Sequence, residues 1–183
     1  MSIKTFTTGE VLTASDTNTY LNNGGLVYIS GTTIGSAVSS VVVSNCFSST
    51  YDNYRIVIDI NSQSADGYAR IQYNNDTTAN YYDSEMEMGY AATTVTGVNA
   101  QTQTVARIGR YVSALAEAHI SLDVFTPYAS KRTWGHGQSS APGYFWTTGH
   151  QSATTNSNTG FTLSPSTGTW TGGIVRVYGY RQA

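Results

Sequence analysis

The segment NYRIVIDI, residues 53–60, indicates the fold class of this chain. Apolar residues occupy every second position, and Arg55 and Asp59 lie between them. Because successive side chains of a β-strand point to opposite faces of a sheet, this pattern predicts a strand with one buried and one solvent-facing side. The predicted buried face consists of Tyr54, Ile56, Ile58 and Ile60.

The same alternation occurs in AHISLDV, residues 118–124, where the predicted core face consists of Ala118, Ile120, Leu122 and Val124. Other β-branched and aromatic segments, separated by Gly, Asn, Asp or Ser, lie at residues 26–30, 37–43, 68–73, 104–112, 131–137, 143–150 and 172–181. Many short strands without a helical period between them favour an antiparallel, jelly-roll-like β-sandwich over a parallel α/β sheet. We therefore predict an all-β domain over residues 26–183.

The last predicted strand has apolar residues on both faces. Val175 and Val177 lie on one face, and Ile174, Tyr178 and Tyr180 lie on the other. Both faces then need cover, as they do in a sandwich strand at a subunit interface. We therefore expect a homo-oligomer.

Composition excludes several classes of function. Only 11% of the 183 residues are charged, against roughly 25% in typical soluble proteins. The nine Lys and Arg are scattered and the net charge is -2, so we expect no nucleic-acid binding. Apolar runs are too short for a membrane span or a secretion signal, which predicts no membrane insertion. The single cysteine, Cys46, excludes an intramolecular disulfide and is expected in the core.

The first residues differ from everything that follows. In TFTTGEVLTASDTNTYLNN, residues 5–23, Thr13 can cap a short helix whose third residue is Asp16. Because a two-turn helix is marginal alone in water, it needs a surface to pack on. We interpret residues 1–25 as a docking arm. The candidate docking residues are Phe6, Val11, Leu12, Tyr20 and Leu21.

The chain resembles virion structural proteins of tailed bacteriophages. Residues 6–23, FTTGEVLTASDTNTYLNN, resemble an opening of the form F-x-x-G-E-V-L-T-A-x-D-x-N-x-Y-L-x-N found on many of them. The segments at 51–73, 119–140 and 168–181 are similar to short tail-fibre and receptor-binding heads. The resemblance implies a β-sandwich on the virion, commonly homotrimeric, without a catalytic motif or cofactor.

Two functions follow from the resemblance as expectations. The first is a short tail fibre or adhesin head that recognises host-surface polysaccharide and joins another virion protein through its arm. The second is a capsid decoration or head-fibre protein, because no shaft separates Asn23 from the sandwich. A glycan depolymerase is a distant third. In each case we expect synthesis in the host cytoplasm and a place on the virion surface, at the tail or the head.

The aromatic residues suggest where a glycan would bind. The chain has fourteen tyrosines, and their rings can stack on sugars while staying partly wet. One group flanks an acidic strand, and the other follows the loop-like run SSAPG. The candidate glycan-binding residues are Tyr81, Tyr82, Tyr90, Tyr144, Phe145 and Trp146.

The acidic strand YYDSEMEMG allows three interpretations. Asp83, Glu85 and Glu87 share one face at roughly 6.5 to 7 Å spacing, which suits an inverting glycosidase or Ca²⁺. We favour a third interpretation, an exposed edge that repels other sheets, with Met86 and Met88 inside.

Two histidines occur in similar settings, His136 in GHGQSS and His150 in GHQS. They could oppose each other across a hairpin and begin a metal site, but no H-x-H or H-E-x-x-H spacing accompanies them. We expect glycine-flanked surface histidines and no metal. Nucleophile motifs such as G-x-S-x-G are also absent from the sequence, so we predict that the chain is not an enzyme.

Overall fold

The protein is described by a computed structural model that covers residue 5 and residues 7–16, 25–111 and 117–181. Within these ranges the chain forms one short helix, α1 (Ala14–Asp16), and twelve strands. The strands are β1 (Leu26–Thr33), β2 (Val41–Val43), β3 (Asn53–Gln63), β4 (Gly67–Tyr73), β5 (Tyr81–Gly89), β6 (Thr96–Gln103), β7 (Ala106–Tyr111), β8 (Ala118–Phe125), β9 (Thr133–Ala141), β10 (Tyr144–Ser152), β11 (Phe161–Pro165) and β12 (Trp170–Tyr180).

The strands form two antiparallel sheets. The large sheet has the order β1-β12-β3-β8-β9-β10-β5-β6, and the small sheet has the order β2-β11-β4-β7. Strand β7 of the small sheet lies across β5, β9 and β10 of the large sheet. Residues from both sheets share one apolar core. The all-β class and the β-sandwich arrangement predicted from the sequence are therefore confirmed.

The two strands with the clearest alternation lie side by side in the large sheet. Ile56 is paired with Leu122, and Ile58 with Ile120. All the predicted core positions of β3 and β8 are buried, so the assignment of faces in these strands is correct. Cys46 is also buried, as expected.

Strand prediction was less accurate where the backbone turns or the side chains are polar. Residues 37–43 were predicted as one strand, but only Val41–Val43 is a strand in the structure. Ala37 has a φ of 53°, in the left-handed region, and its N–H donates to Thr171 Oγ1 at 2.9 Å. A left-handed residue interrupts regular extended backbone, and the segment 37–43 breaks here. Strands β6 and β11 were not among the predicted segments.

The face of β12 that carries Ile174, Tyr178 and Tyr180 is partly covered by other residues of the same chain. Tyr180 donates a hydrogen bond from its hydroxyl to Asp123 Oδ1 at 2.6 Å. The ring of Tyr178 meets that of Tyr28 edge to face, with centroids 5.7 Å apart. These contacts cover part of the apolar face from which a subunit interface was inferred. The homo-oligomer remains a prediction.

The capping interaction predicted in the arm is present. Asp16 N donates to Thr13 Oγ1 at 3.1 Å, and Thr13 N donates to Asp16 Oδ2 at 3.1 Å. Val11 and Leu12 are 79% and 50% exposed, respectively. The other candidate docking residues, Phe6, Tyr20 and Leu21, lie outside the described residues. No helix in the described part of the chain has the length and apolar character needed to cross a membrane.

Candidate functional site

The acidic side chains of β5 point into the sandwich. Asp83 and Glu85 are buried, whereas Met86 and Met88 are exposed on the outer face. The interpretation of an exposed acidic edge with methionines inside is therefore wrong. Strand β5 is not an edge strand, since β10 and β6 lie on either side of it, and its acidic face meets arginines of the small sheet.

These carboxylates and two arginines of β7 form an interior charge cluster. Arg107 donates from Nε and Nη2 to Asp83 Oδ1 at 2.8 and 2.5 Å. Arg110 Nη1 and Trp146 Nε1 both donate to Glu87 Oε2, at 2.5 and 2.9 Å. Opposite charges and hydrogen bonds compensate the cost of removing these groups from water. The interior charge cluster is defined as Asp83, Glu85, Glu87, Arg107 and Arg110.

Glu85 is the acid without a cation of its own in this cluster. Its Oε1 atom is buried and has no hydrogen-bond partner. Burial raises the pKa of Glu85 to about 7, the Asp83 carboxylate adds to the shift, and Arg107 opposes it. A carboxyl group with such a pKa could serve as a general acid, but Glu85 is only 4% exposed. The geometry therefore favours a structural role over glycoside cleavage.

The two histidines face opposite sides of the large sheet. The register pairs His150 with Gly135 and His136 with Gly149. The two histidines therefore lie in adjacent register positions, whose side chains point to opposite faces of the sheet. His136 is exposed, as predicted, and stacks on Phe125 with centroids 5.3 Å apart. His150 was expected at the surface but is buried.

The environment of His150 belongs to the core. Its Nε2 lies 2.8 Å from the Tyr73 hydroxyl, and its Nδ1 has no hydrogen-bond partner. Burial lowers the pKa of His150 to about 4, so the ring is neutral at physiological pH. The described residues hold no group of three or more His, Cys, Asp or Glu side chains that could bind a metal.

Three of the predicted glycan-binding aromatics face inward. Tyr81 and Trp146 are fully buried, so their rings are not available to a ligand and this part of the prediction is wrong. The Tyr81 hydroxyl accepts a hydrogen bond from Tyr73 N at 2.8 Å. Tyr144 is half-buried and stacks on Trp146, with centroids 5.5 Å apart. Their positions on the inner face of β5 and β10 explain the burial.

The other three lie on the outside of the sandwich but do not form one group. Tyr90 is exposed in the turn after β5. Phe145 is half-buried and paired with Met88. Tyr82 lines a groove of about 540 Å³ on the outer face of the large sheet, across β9, β10, β5 and β6.

Strand register places the groove residues in two rows. Gln151 is paired with Trp134 on one side and Tyr82 on the other. In the next row Ser84 is paired with both Gly149 and Asn99. This outer groove is defined by the side chains and backbone of Tyr82, Ser84, Asn99, Gln101, Trp134, Gly149 and Gln151.

Trp134 is the groove residue that sequence reasoning missed. It is 50% exposed, whereas Trp146 and Trp170 are fully buried. The signal was present in TWGHGQ, residues 133–138, because Trp134 alternates with glycines and shares a face with His136 and Gln138. A partly exposed aromatic ring can stack on a flat ligand, so Trp134, which lines the groove, is a candidate ligand contact.

Comparisons with known proteins add no family assignment. No protein-family model matches the chain, and no curated protein matches it. A crystal structure of a protein of unknown function from Shewanella oneidensis MR-1 aligns with 87% of this chain and 77% of its own chain. The two sequences are 8% identical and the TM-score is 0.20, which is too low to support any argument about fold or function.

Proposed function

We propose that the chain is a bacteriophage virion structural protein, a short receptor-binding head that recognises host-surface glycans. In this proposal three jelly-roll-like sandwiches form a homotrimer, and the N-terminal arm joins each chain to another virion protein. The proposal assigns no catalytic step to the chain. The observation that carries it is the arm, whose sequence resembles the opening of tailed-phage virion proteins.

The geometry of the arm suits docking to another protein. Thr13 and Asp16 cap each other at the start of α1, which fixes the chain direction there. Val11 and Leu12, just before this cap, expose apolar side chains. Burying an exposed Val or Leu side chain is worth about 1.5–3 kcal/mol, so a partner that covers both residues gains binding energy.

The surface composition suits glycan recognition. Amide, hydroxyl and aromatic side chains dominate the outer groove, and charged residues are few in the whole sequence. Sugars present hydroxyl groups and apolar ring faces, which such side chains bind. The groove lies on the outer face of the large sheet and not in the core between the sheets.

A capsid decoration or head-fibre protein is the second candidate. It is favoured by the short distance along the chain between α1, which ends at Asp16, and β1, which begins at Leu26. A long tail fibre would need a shaft at this point. The same arm would then bind the capsid lattice.

Localisation in the intact particle tests the proposal. A tag at Ala183, located by cryo-electron microscopy, is expected at the tail tip or baseplate. Label spread over the head would replace the adhesin by the decoration protein, and purified particles without the label would overturn both. Native mass spectrometry is expected to give three times the 19.7 kDa of one chain.

A truncated chain separates the roles of arm and sandwich. Deletion of residues 1–23 is expected to leave a folded trimer that no longer joins the particle. A truncated chain that still assembles into particles, or one that no longer forms the trimer, would contradict this division of roles.

A further inference from the structure

We propose that the outer groove binds an uncharged, hydroxyl-rich glycan chain, with Trp134 and Tyr82 as stacking platforms and Gln151 between them. The inference deepens the proposed function and rests on it for the source of the glycan, a host surface. The site itself is argued from the groove residues alone.

The two aromatic side chains are placed to hold a flat ligand. Trp134 lies on β9 and Tyr82 on β5, with β10 between them. Neighbouring strands are about 4.8 Å apart, so the two backbones are separated by about 10 Å. A backbone separation of that size leaves room for a ligand over Gln151. Sugar rings have apolar faces that stack on such aromatic side chains.

Gln151, which lies between Trp134 and Tyr82 in the strand register, has an unsatisfied acceptor atom. Its Oε1 atom is buried and has no hydrogen-bond partner. Buried polar atoms in proteins are almost always paired, because an unpaired acceptor loses its interaction with water without replacement. A turn of the half-buried Gln151 side chain toward the groove would let a sugar hydroxyl donate to this atom. Ser84, Asn99 and Gln101 add further donors and acceptors at the groove.

The charge of the groove selects against anionic glycans. Asp83 and His150 are the acidic and basic residues that also border the groove. The Asp83 side chain is turned inward onto Arg107, and His150 is buried against Tyr73. Recognition of carboxylate or phosphate groups generally uses Arg or Lys, and neither residue lines this groove. A neutral polysaccharide is therefore the class that fits.

Gly149 leaves space at the groove that the fold does not require. A Cβ atom built on Gly149 would meet the Ser84 hydroxyl at 4.0 Å and nothing closer. Glycine weakens the interior of a strand, and it often marks a position where a ligand approaches the backbone. A larger side chain at Gly149 is therefore expected to occupy the binding space without disturbing the core.

Titration of the full chain with defined sugars tests the inference. The neutral probes are maltohexaose, cellohexaose, laminarihexaose and mannohexaose, and the acidic probes are the hexamers of galacturonate and mannuronate. Binding is followed through the NMR signals of the Trp134 indole and the Gln151 side-chain amide. We expect at least one neutral hexamer to shift both signals, and the acidic hexamers to bind at least about tenfold more weakly.

Four variants locate the site. Trp134→Ala and Gly149→Val are each expected to weaken binding at least about tenfold, as measured by calorimetry. Trp134→Phe keeps an aromatic platform and is expected to retain binding. Val42→Ala, at an exposed position on the small sheet, is the matched surface control and should bind like the wild type.

Three results would overturn the inference: no neutral hexamer binds, acidic hexamers bind equally well, or Trp134→Ala and Gly149→Val bind as the wild type does. The outcome is independent of localisation. Groove binding by a chain that is absent from particles would refute the proposed function and keep this site. A chain that is located at the tail tip but binds no glycan in the groove would refute this site and leave the location on the virion standing.

Discussion

Arg107 joins the two sheets by holding both oxygens of Asp83. Its Nε and Nη2 donate to Asp83 Oδ1, and its backbone N–H donates to Oδ2 at 3.1 Å. On the same residue, the backbone carbonyl accepts a hydrogen bond from Thr148 Oγ1 at 3.2 Å. Strand β7 is an edge of the small sheet, so its free backbone groups at Arg107 are satisfied by side chains of the large sheet.

The first prediction concerns this ion pair. Asp83→Asn removes the negative charge and leaves the Arg107 guanidinium in a largely buried position without its counter-ion. Removing one partner of a buried pair costs about 3–5 kcal/mol, so we expect a loss of about that size in the free energy of unfolding. Urea denaturation followed by circular dichroism measures it.

A more exposed ion pair provides the control. Arg176 donates from Nη1 to Asp59 Oδ2 at 2.6 Å on the outer face of the large sheet. Because exposed pairs contribute little, Arg176→Gln is expected to cost less than about 1 kcal/mol. Equal losses in the two variants would show that the Arg107–Asp83 pair has no special role in joining the sheets.

The second prediction compares two glycines in the same hairpin. A Cβ atom on Gly135 would lie 2.2 Å from Cε1 of His150, so Gly135→Ala forces the buried imidazole to move. We expect it to lower the free energy of unfolding by about 1–3 kcal/mol, as overpacking does. Gly149→Ala meets no such obstacle and is expected to raise it by about 0.5–1 kcal/mol. Urea titrations of both variants decide this, and the same sign of change in both would contradict the prediction.

Alternation in the sequence predicts which residues share a face, but it does not always tell which face is buried. In β3 one face is wholly apolar and the other carries Arg55 and Asp59, so the burial of Ile56 and Ile58 could be predicted. In β5 the pattern is mixed, because Tyr81 shares a face with acids while the methionines lie opposite. The acidic face of β5 turns inward because it meets Arg107 and Arg110. These residues belong to the other sheet, so the sequence of β5 contains no sign of them.

The outer groove could not be predicted for a related reason. It exists only because β9, β10, β5 and β6 are neighbours in this order. The register that places Gln151 between Trp134 and Tyr82 is not encoded within any one of these segments. Strand β6 in addition is largely polar and exposed, so its periodicity is too weak to identify it.

The third prediction uses Cys46 as a reporter of unfolding. Burial raises the pKa of this thiol to about 12, so the nucleophilic thiolate is scarce in the folded protein. We expect iodoacetamide at pH 8 to modify Cys46 only at the rate of global unfolding. Mass spectrometry at increasing urea concentrations measures the modified fraction. Rapid modification in the absence of urea would contradict the prediction.

The fourth prediction concerns pH, because Glu85 and His150 titrate in opposite senses. The pKa of Glu85 is raised to about 7 in the folded state, so the native protein keeps a proton that the unfolded chain loses above pH 4.5. The contribution of Glu85 to the free energy of unfolding therefore falls as pH rises from 4.5 to 7. The pKa of His150 is lowered from 6.5 to about 4, so its contribution rises over pH 4 to 6.5.

Substitution of Glu85 separates these two effects. Glu85→Gln keeps the shape of the side chain and removes the titration. The unfolding free energy of the variant minus that of the wild type should therefore grow with pH. A pKa shift of one unit corresponds to about 1.4 kcal/mol, so the difference should increase by about 3 kcal/mol between pH 4 and pH 8. Urea denaturation at a series of pH values measures it.

The complementary variant tests the sign of the argument. His150→Gln removes the increase in unfolding free energy that His150 contributes between pH 4 and 6.5. Only the decrease caused by Glu85 then remains, so the free energy of unfolding should fall more steeply with pH than in the wild type. His150→Gln also changes the contact between His150 Nε2 and the Tyr73 hydroxyl, and a pH-independent change of this kind displaces the whole curve without altering its slope. A difference between Glu85→Gln and wild type that stays constant from pH 4 to pH 8 would therefore show that folding leaves the pKa of Glu85 unshifted, so that the carboxyl group is ionised at neutral pH. The interior charge cluster would then have to tolerate an uncompensated carboxylate.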